Sequence, residues 1–327
     1  MNVLVTGGAG FIGSHISKAL LENGHEVTVL DNLDPYYDVG IKERNIEICR
    51  DEGGNDYEFV EGSVTDADTV ERLIADGDVE FVFHEAAQAG VRTSVENPLK
   101  PNRVNVEGLL NVLIAAKDHG VERVVNASSS SVYGEVDYLP FDEDHQNVPQ
   151  SPYAVTKLAG EHYCRVFNDI YGLSTVSLRY FTVYGPRMRP NMAITNFTSR
   201  CLNGKPAVIY GDGEQTRDFT YIDDVVEANL ELLTAQGVDG ESMNVGSTGN
   251  ITINELADHI IEATEADVDK IYEGGKKGDA RHTHSDVSKA RELIGYDPST
   301  SIREGVSRFV DWYRDNRDWY EPLVLES

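Results

Sequence analysis

Tyr153 and Lys157 stand four residues apart in the run Ser151-Pro152-Tyr153-Ala154-Val155-Thr156-Lys157, and on a helix that spacing puts phenol and ammonium on one face. A lysine beside a phenol favours the phenolate and draws its pKa from about 10 toward neutrality, which suits it as a general base. The run Ser128-Ser129-Ser130-Ser131-Val132-Tyr133-Gly134 brings hydroxyls that can bridge the same substrate oxygen. Tyr and Lys at helical spacing are common on exposed helices, so the pair acquires meaning only from its company. That company begins at the other end of the chain, where Gly7, Gly10 and Gly13 follow the apolar run Val3-Leu4-Val5 and open a helical pattern. Glycines in that order let a turn tighten, let the backbone touch a pyrophosphate, and let a helix pack close to a strand with its N-terminal amides facing the phosphates. Asp31 lies 18 residues beyond Gly13 at the end of the next strand-like run. A carboxylate there accepts the ribose hydroxyls of NAD and repels the 2′-phosphate of NADP. The next residue is Asn32 rather than an arginine, so NAD is the cofactor expected, and its cationic nicotinamide adds to the pull on the phenol.

The elements that must position these groups alternate. Candidate strands at 2–6, 26–31, 57–62, 79–84, 123–128 and 174–179 are separated by helical stretches, notably 12–23 with Gly24 as its stop and 105–119 closed by Gly120. This is the pattern of a parallel sheet wound by crossover helices. The glycine turn then follows the first strand, the serine run follows the fifth, and Tyr153 opens the next helix. Beyond Arg179 the alternation loosens into the Gly-, Pro- and Arg-rich run 184–191, followed by helix, short strand and helix. A larger unit over residues 1–180 and a smaller cap over 181–327, with the chain free to cross back between them, is the expected division.

At 327 residues the chain can bury a core without staples. Cys49, Cys164 and Cys201 are odd in number and scattered, with no CxxC pair or histidine spacing of a zinc site. They read as reduced thiols of a cytoplasmic protein, and no bound metal is expected. No long apolar span or charged leader occurs. The 56 acidic residues outnumber 28 basic ones, for a net charge of −28 spread along the whole chain, which argues against a nucleic-acid partner. Such a surface fits a halophilic protein in a high-salt cytoplasm, where screening shortens to a few ångströms; an ordinary acidic protein is the alternative.

Together, the glycine turn, the Tyr153/Lys157 pair and the run 211–224 (GDGEQTRDFTYIDD) resemble the extended short-chain dehydrogenase/reductase family of nucleotide-sugar epimerases, dehydratases and decarboxylases, from Asn2 to about Trp312. The resemblance implies a Rossmann-type doubly wound parallel sheet of the α/β class with a smaller C-terminal α/β substrate-binding cap. It places the catalytic hydroxyl, four residues before Tyr133, on Ser129. It implies that Gly7, Gly10, Phe11, Ile12, Gly13, Asp31, Asn32, Ser63, Val64, Ala86, Ala87, Asn105, Lys157 and Tyr180 border NAD. It further implies that Arg217 and Arg281 grip the substrate diphosphate, with the segment ending at Tyr210 near the uracil. A homodimer paired through helices 105–119 and 152–171 is a family-level expectation; their outer faces could equally be solvated.

Dehydratases of this family resemble one another in having Asp-Glu just after the catalytic hydroxyl, and the decarboxylases have an acid in the same short loop. Here the two positions are Ser130 and Ser131, so the acid that elimination needs is missing, whereas epimerisation needs none. The segments 84–94 and 179–193 look like those of UDP-glucuronate 4-epimerases; UDP-galactose epimerases typically have Asn in place of Thr182. Hydroxyls of Ser130, Ser131 and Thr182, with Arg189 close by, could hold a C6 carboxylate and keep a 4-keto acid from losing carbon dioxide. A neutral C6 hydroxyl, as in UDP-glucose or UDP-N-acetylglucosamine, is the competing reading. The chain departs from the family at Ser63, usually Asp, at Glu85, usually apolar, and at Asn191, frequently Asp. A non-catalytic dinucleotide-binding regulator would show a damaged Ser/Tyr/Lys set, and here the set is complete.

Overall fold

Six runs of β-branched and aromatic residues form strands at the places the alternation predicts, and the central ones are buried on both faces while the edge strand 57–61 is largely half-buried or exposed, as a sheet covered by helices on either side allows. The computed structural model describes residues 1–135, 137–247, 249–274 and 281–325. Its first half runs β1 (Asn2–Thr6), α1 (Phe11–Glu22), β2 (Glu26–Asp31), α2 (Val39–Gly53), β3 (Tyr57–Glu61), α3 (Ala67–Asp76) and β4 (Phe81–His84). The short helices α4 (Val91–Glu96) and α5 (Leu99–Pro101) lead into α6 (Gly108–His119), then β5 (Arg123–Ser129), α7 (Pro152–Tyr171) and β6 (Ser174–Tyr180). The fourth strand starts two residues later than predicted because Asp78 turns the chain with φ 44. The helix predicted over 105–119 begins as a π-helical turn, Asn102–Glu107, that seats the buried Asn105 before α6 takes over. α7 matches the predicted 152–171: Ser151 accepts from the Ala154 amide at its start, Pro152 occupies the first turn, and Gly172 closes it with φ 71.

Seven strands form one parallel sheet in the order β11-β6-β5-β4-β1-β2-β3. The seventh, β11 (Ser242–Val245), comes from the C-terminal half of the chain and pairs with β6. Side chains alternate between two cores. Val3, Val5, Val29, Phe83 and Val125 face one; Leu4, Leu30, Val82 and Val124 face the other, together with Leu113, Ala116 and Phe167. The strand order reverses between β1 and β4, and in open sheets of this kind ligands bind beyond the strand ends at that reversal. Thr6, Asp31, His84, Ser129 and Tyr180 all lie at that edge.

Past β6 the chain makes β7 (Thr182–Tyr184), α8 (Ala193–Leu202), β8 (Ala207–Tyr210), β9 (Thr216–Arg217), β10 (Phe219–Tyr221) and α9 (Ile222–Glu231) ahead of β11. β10 pairs with β7 in parallel, with Phe219 opposite Thr182. This pairing brings the segment after Arg217 beside the segment that leaves the main sheet. Among the described residues no helix is long and apolar enough to cross a membrane, and no cluster of His, Cys, Asp and Glu could hold a metal ion.

Candidate active site

The glycine turn is shaped by close approaches that a side chain would block. A Cβ on Gly7, whose φ is 70, would lie 2.6 Å from the Ala86 backbone nitrogen, and one on Gly13 would lie 2.5 Å from the Gly7 carbonyl. At Gly10 the approach is looser, 3.1 Å to the same carbonyl. Gly10 caps α1 without a side-chain hydrogen bond, so the amides of Phe11 and Ile12 in its first turn face the turn's concavity, where a pyrophosphate is favoured. A cradle that three Cβ atoms would fill, against the amides of a helix N-terminus, fits a dinucleotide.

Asp31 ends β2 as expected, but its carboxylate is tied in more ways than the sequence indicates. It accepts from the amides of Ala9 at 3.2 Å and Leu33 at 2.9 Å, and pairs with Lys42 of α2 at 3.1 Å. Lys42 thus sets a cation beside the predicted ribose acceptor, a residue that only the folded helix reveals. Asn32 follows on the loop and holds the Asp34 amide at 3.2 Å. Ser63, at the expected adenine edge, closes its own turn through Thr65 at 2.9 Å, and Val64 is buried against Gly108. Ala86 and Ala87 are half-buried on the segment that crosses over Gly7. The amide of Asn105 is engaged at both ends, accepting from the Gln88 amide at 2.8 Å and donating to Thr156 Oγ1 at 2.9 Å. It braces that segment against α7 from behind.

At the next strand end the proton-transfer groups meet. Lys157, 6% exposed, donates Nζ to the Ala127 carbonyl at 2.5 Å and lies 5.9 Å from the centre of the Tyr153 ring. Burial raises the Tyr153 pKa, opposed first by a hydrogen bond from Ser129 and then by the charge of Arg189. The ammonium is turned to a backbone carbonyl rather than to the phenol oxygen. Ser129 ends β5 and accepts from the amide of Ser131 at 3.2 Å and from its hydroxyl at 3.0 Å, so Ser129, Ser130 and Ser131 form one tight turn.

Below the serine turn runs a buried polar chain. Ser128 donates to Glu161 at 2.5 Å; Glu161 is gripped by Arg179 through two bonds of 2.9 and 2.7 Å. Arg179 also donates to the Tyr133 hydroxyl at 2.9 Å, which donates to Asn244 of β11 at 2.7 Å. The chain ties β5, α7, β6 and β11 together directly under Ser129.

The predicted substrate residues come from the second half. Thr182 opens β7, and its amide donates to the Asp218 carbonyl at 3.0 Å, next to Arg217. Arg217 donates to the Arg281 carbonyl at 3.2 Å, and Arg281 pairs with Asp212 at 3.4 Å, so the two arginines sit on adjoining backbone. Tyr210 is 40% exposed at the end of β8. Arg189 packs over the Tyr36 ring at 5.6 Å. The loop between β2 and α2 therefore reaches the catalytic edge, and Tyr36 lies near enough to influence Tyr153. Sequence reading missed Tyr36, because it sits on a loop with no periodicity or motif, and it missed the strut in which Arg187 donates to Asn45 at 3.0 Å while Asn45 donates to the Ala9 carbonyl at 2.9 Å.

The chain is similar to known proteins along nearly its whole length. The UDP-glucuronate 4-epimerase of Thermodesulfobacterium geofontis is 38% identical, over 98% of this chain and 99% of that protein. The crystal structure of a Bacillus cereus UDP-glucuronic acid 4-epimerase with UDP-glucuronic acid and NAD superposes with a TM-score of 0.90 at 36% identity, covering 96% of this chain and 99% of that one. A Thermotoga maritima UDP-glucose 4-epimerase with UDP-glucose gives 0.89 at 37% identity, covering 97% and 100%. Residues 3–246, which span the glycine turn, the serine turn, Tyr153, Lys157 and the returning strand β11, match one family description, and by that match the chain belongs to the NAD dependent epimerase/dehydratase family.

Proposed function

We propose that this enzyme inverts C4 of a UDP-sugar with NAD as its resident cofactor, and that UDP-glucuronate, going to UDP-galacturonate, is the sugar it takes. The observation that carries the reading is the serine turn: Ser129 beside Tyr153, followed by Ser130 and Ser131 where an eliminating enzyme needs acids. The glycine cradle, Asp31 and the 86–87 segment would hold NAD, which when bound supplies the hydride acceptor and a cationic ring that draws Tyr153 toward phenolate. Tyr153 then accepts the C4 hydroxyl proton while Ser129 holds the same oxygen, leaving a 4-keto sugar. Lys157 tunes the phenol from its place on Ala127. Arg217 and Arg281 keep the diphosphate tethered while the ring presents its other face, and Tyr153 returns the proton to the inverted oxygen. Residues 1–180 would serve the cofactor and 181–327 the nucleotide sugar.

Hydroxyls at Ser130, Ser131 and Thr182 with the Arg189 cation support a carboxylate at C6. The equal likeness to a UDP-glucose 4-epimerase supports a neutral hexose as the second reading. Incubation with UDP-glucuronate, UDP-glucose and UDP-N-acetylglucosamine, resolved by chromatography, separates them: the uronate should turn over at least tenfold faster in kcat/KM, a difference of about 1.4 kcal/mol. Preference for either neutral sugar contradicts the assignment to the uronate.

Assembly and setting follow from the surface. Val155, Val166 and Ile170 of α7 and Ile114 of α6 are all at least 44% exposed, and we assign this face to a second copy of the chain, to be checked by sedimentation of the wild type against Ile170→Glu. The three cysteines are free and buried, which supports a reducing cytoplasm, testable by cell fractionation. With a net charge of −28, self-repulsion should weaken the fold at low salt. The thermal midpoint is expected to climb as KCl rises from about 0.1 M to about 1 M, over which the screening length falls from about 10 Å to about 3 Å; a flat midpoint would remove the case for a high-salt setting.

A further inference from the structure

Glu85 follows β4 immediately and has no part in the mechanism above. Its amide donates to the Thr6 carbonyl at 3.0 Å, fixing the backbone against β1. Its side chain reaches past the end of β5, the strand between β4 and β6, to accept from the Tyr180 hydroxyl at 2.9 Å. Tyr180 is held in turn by Asn229 of α9, whose Nδ2 donates to that hydroxyl at 2.9 Å and to the Val225 carbonyl at 2.8 Å. A carboxylate is thus held through Tyr180 by α9 at the strand end where Lys157 Nζ bonds the Ala127 carbonyl of β5 and Ser129 lies in register with Tyr180.

Among the described residues, the charged and titratable groups at this strand end come from several elements. α7 contributes Tyr153, Lys157 and Glu161; β6 contributes Arg179 and Tyr180; Arg189 and Tyr36 approach Tyr153 from their loops. His84 of β4 is neutral, its pKa pushed down to about 3 by burial and by the charge of Lys157. Glu161 already has two bonds from Arg179, so its charge is largely cancelled. Among the described residues no cation is bonded to Glu85, and its charge favours the ammonium of Lys157 first, ahead of that of Glu161. Burial pushes Glu85 up to about 7 and Lys157 down to about 8, while each holds the other's charged form in place.

We propose that Glu85 is a positioning residue of the proton-transfer pair, the fixed anion that keeps Lys157 an ammonium and sets the pH range over which Tyr153 works. The proposal rests on the assignment of Tyr153 and Lys157 as that pair. Removing the anion has one sign at both partners: the lysine loses its proton more easily, and the phenol ionises more easily.

The test is Glu85→Gln, which keeps the volume and an oxygen for Tyr180. Two readouts on the NAD-loaded protein are needed: the phenolate absorbance of Tyr153, isolated by subtracting Tyr153→Phe, and the pH profile of kcat/KM. The phenolate signal and the alkaline limb should both move to lower pH, by on the order of one unit. Wild type and variant should superpose below about pH 6, where the protonated Glu85 of the wild type is as neutral as the glutamine that replaces it, and separate above about pH 7. Tyr180→Phe removes the donor but keeps the carboxylate, and should move both readouts the same way by less; it decides the matter alone if Glu85→Gln does not fold. Profiles that differ only by a constant factor, or do not move in either variant, would overturn the proposal. Because the phenolate titration needs no sugar, a failed substrate assignment would leave this result intact.

Discussion

Tyr153→Phe is expected to lower turnover of the UDP-sugar by about a hundred- to ten-thousandfold, the span that a positioned general acid or base contributes, while the protein folds and retains NAD. The substitution deletes one hydroxyl. It leaves the ring that Lys157 faces at 5.9 Å, the Nζ bond to Ala127, and the serine turn untouched. The lost rate therefore reports the missing proton acceptor at C4 rather than a collapsed site. Chromatographic rates, circular dichroism and NAD content measured on one preparation check all three parts, and turnover within tenfold of wild type would refute the role given to the phenol.

The second large effect lies one layer deeper, in stability. Glu161→Ala should cost about 3–5 kcal/mol, because it strands the Arg179 guanidinium, 4% exposed, without its carboxylate. That is a large share of the roughly 5–15 kcal/mol that holds a typical domain folded. Glu161 also receives the Ser128 hydroxyl, so the loss should loosen the strand end that bears Ser129 and lower kcat as well. Adding Arg179→Met removes the stranded charge and should recover part of the stability. Urea unfolding of the single and double variants measures both. A single variant within about 1 kcal/mol of wild type would mean that the pair is not what braces the strand ends.

Local chemistry made most of this legible. The six strand positions, Pro152 and Gly172 at the ends of α7, and the glycine turn each follow from short-range preferences that the tertiary structure had no reason to override. The returning strand Ser242–Val245 escaped, because a four-residue run gains its strand character only from β6, more than sixty residues earlier. Long-range electrostatics escaped for the same reason. Lys42 reaches Asp31 and Tyr36 reaches Arg189 only after the loop between β2 and α2 is folded. The Tyr153/Lys157 spacing was read correctly as one helical face, but spacing does not reveal that the ammonium prefers the Ala127 carbonyl. Glu85 stood out as an unusual residue, yet its partners Tyr180 and Asn229 lie on two other elements.

In the proposed reaction, hydrogen leaves C4 of the bound sugar and returns to the same carbon on the opposite face. UDP-glucuronate bearing deuterium at C4, incubated with the NAD-loaded enzyme in ordinary water and examined by NMR, tests this most directly. The expected product is the C4 epimer with its deuterium retained and no net build-up of NADH. Loss of the label to solvent during epimerisation, or no C4 epimer from this sugar or from equally labelled UDP-glucose, would contradict it.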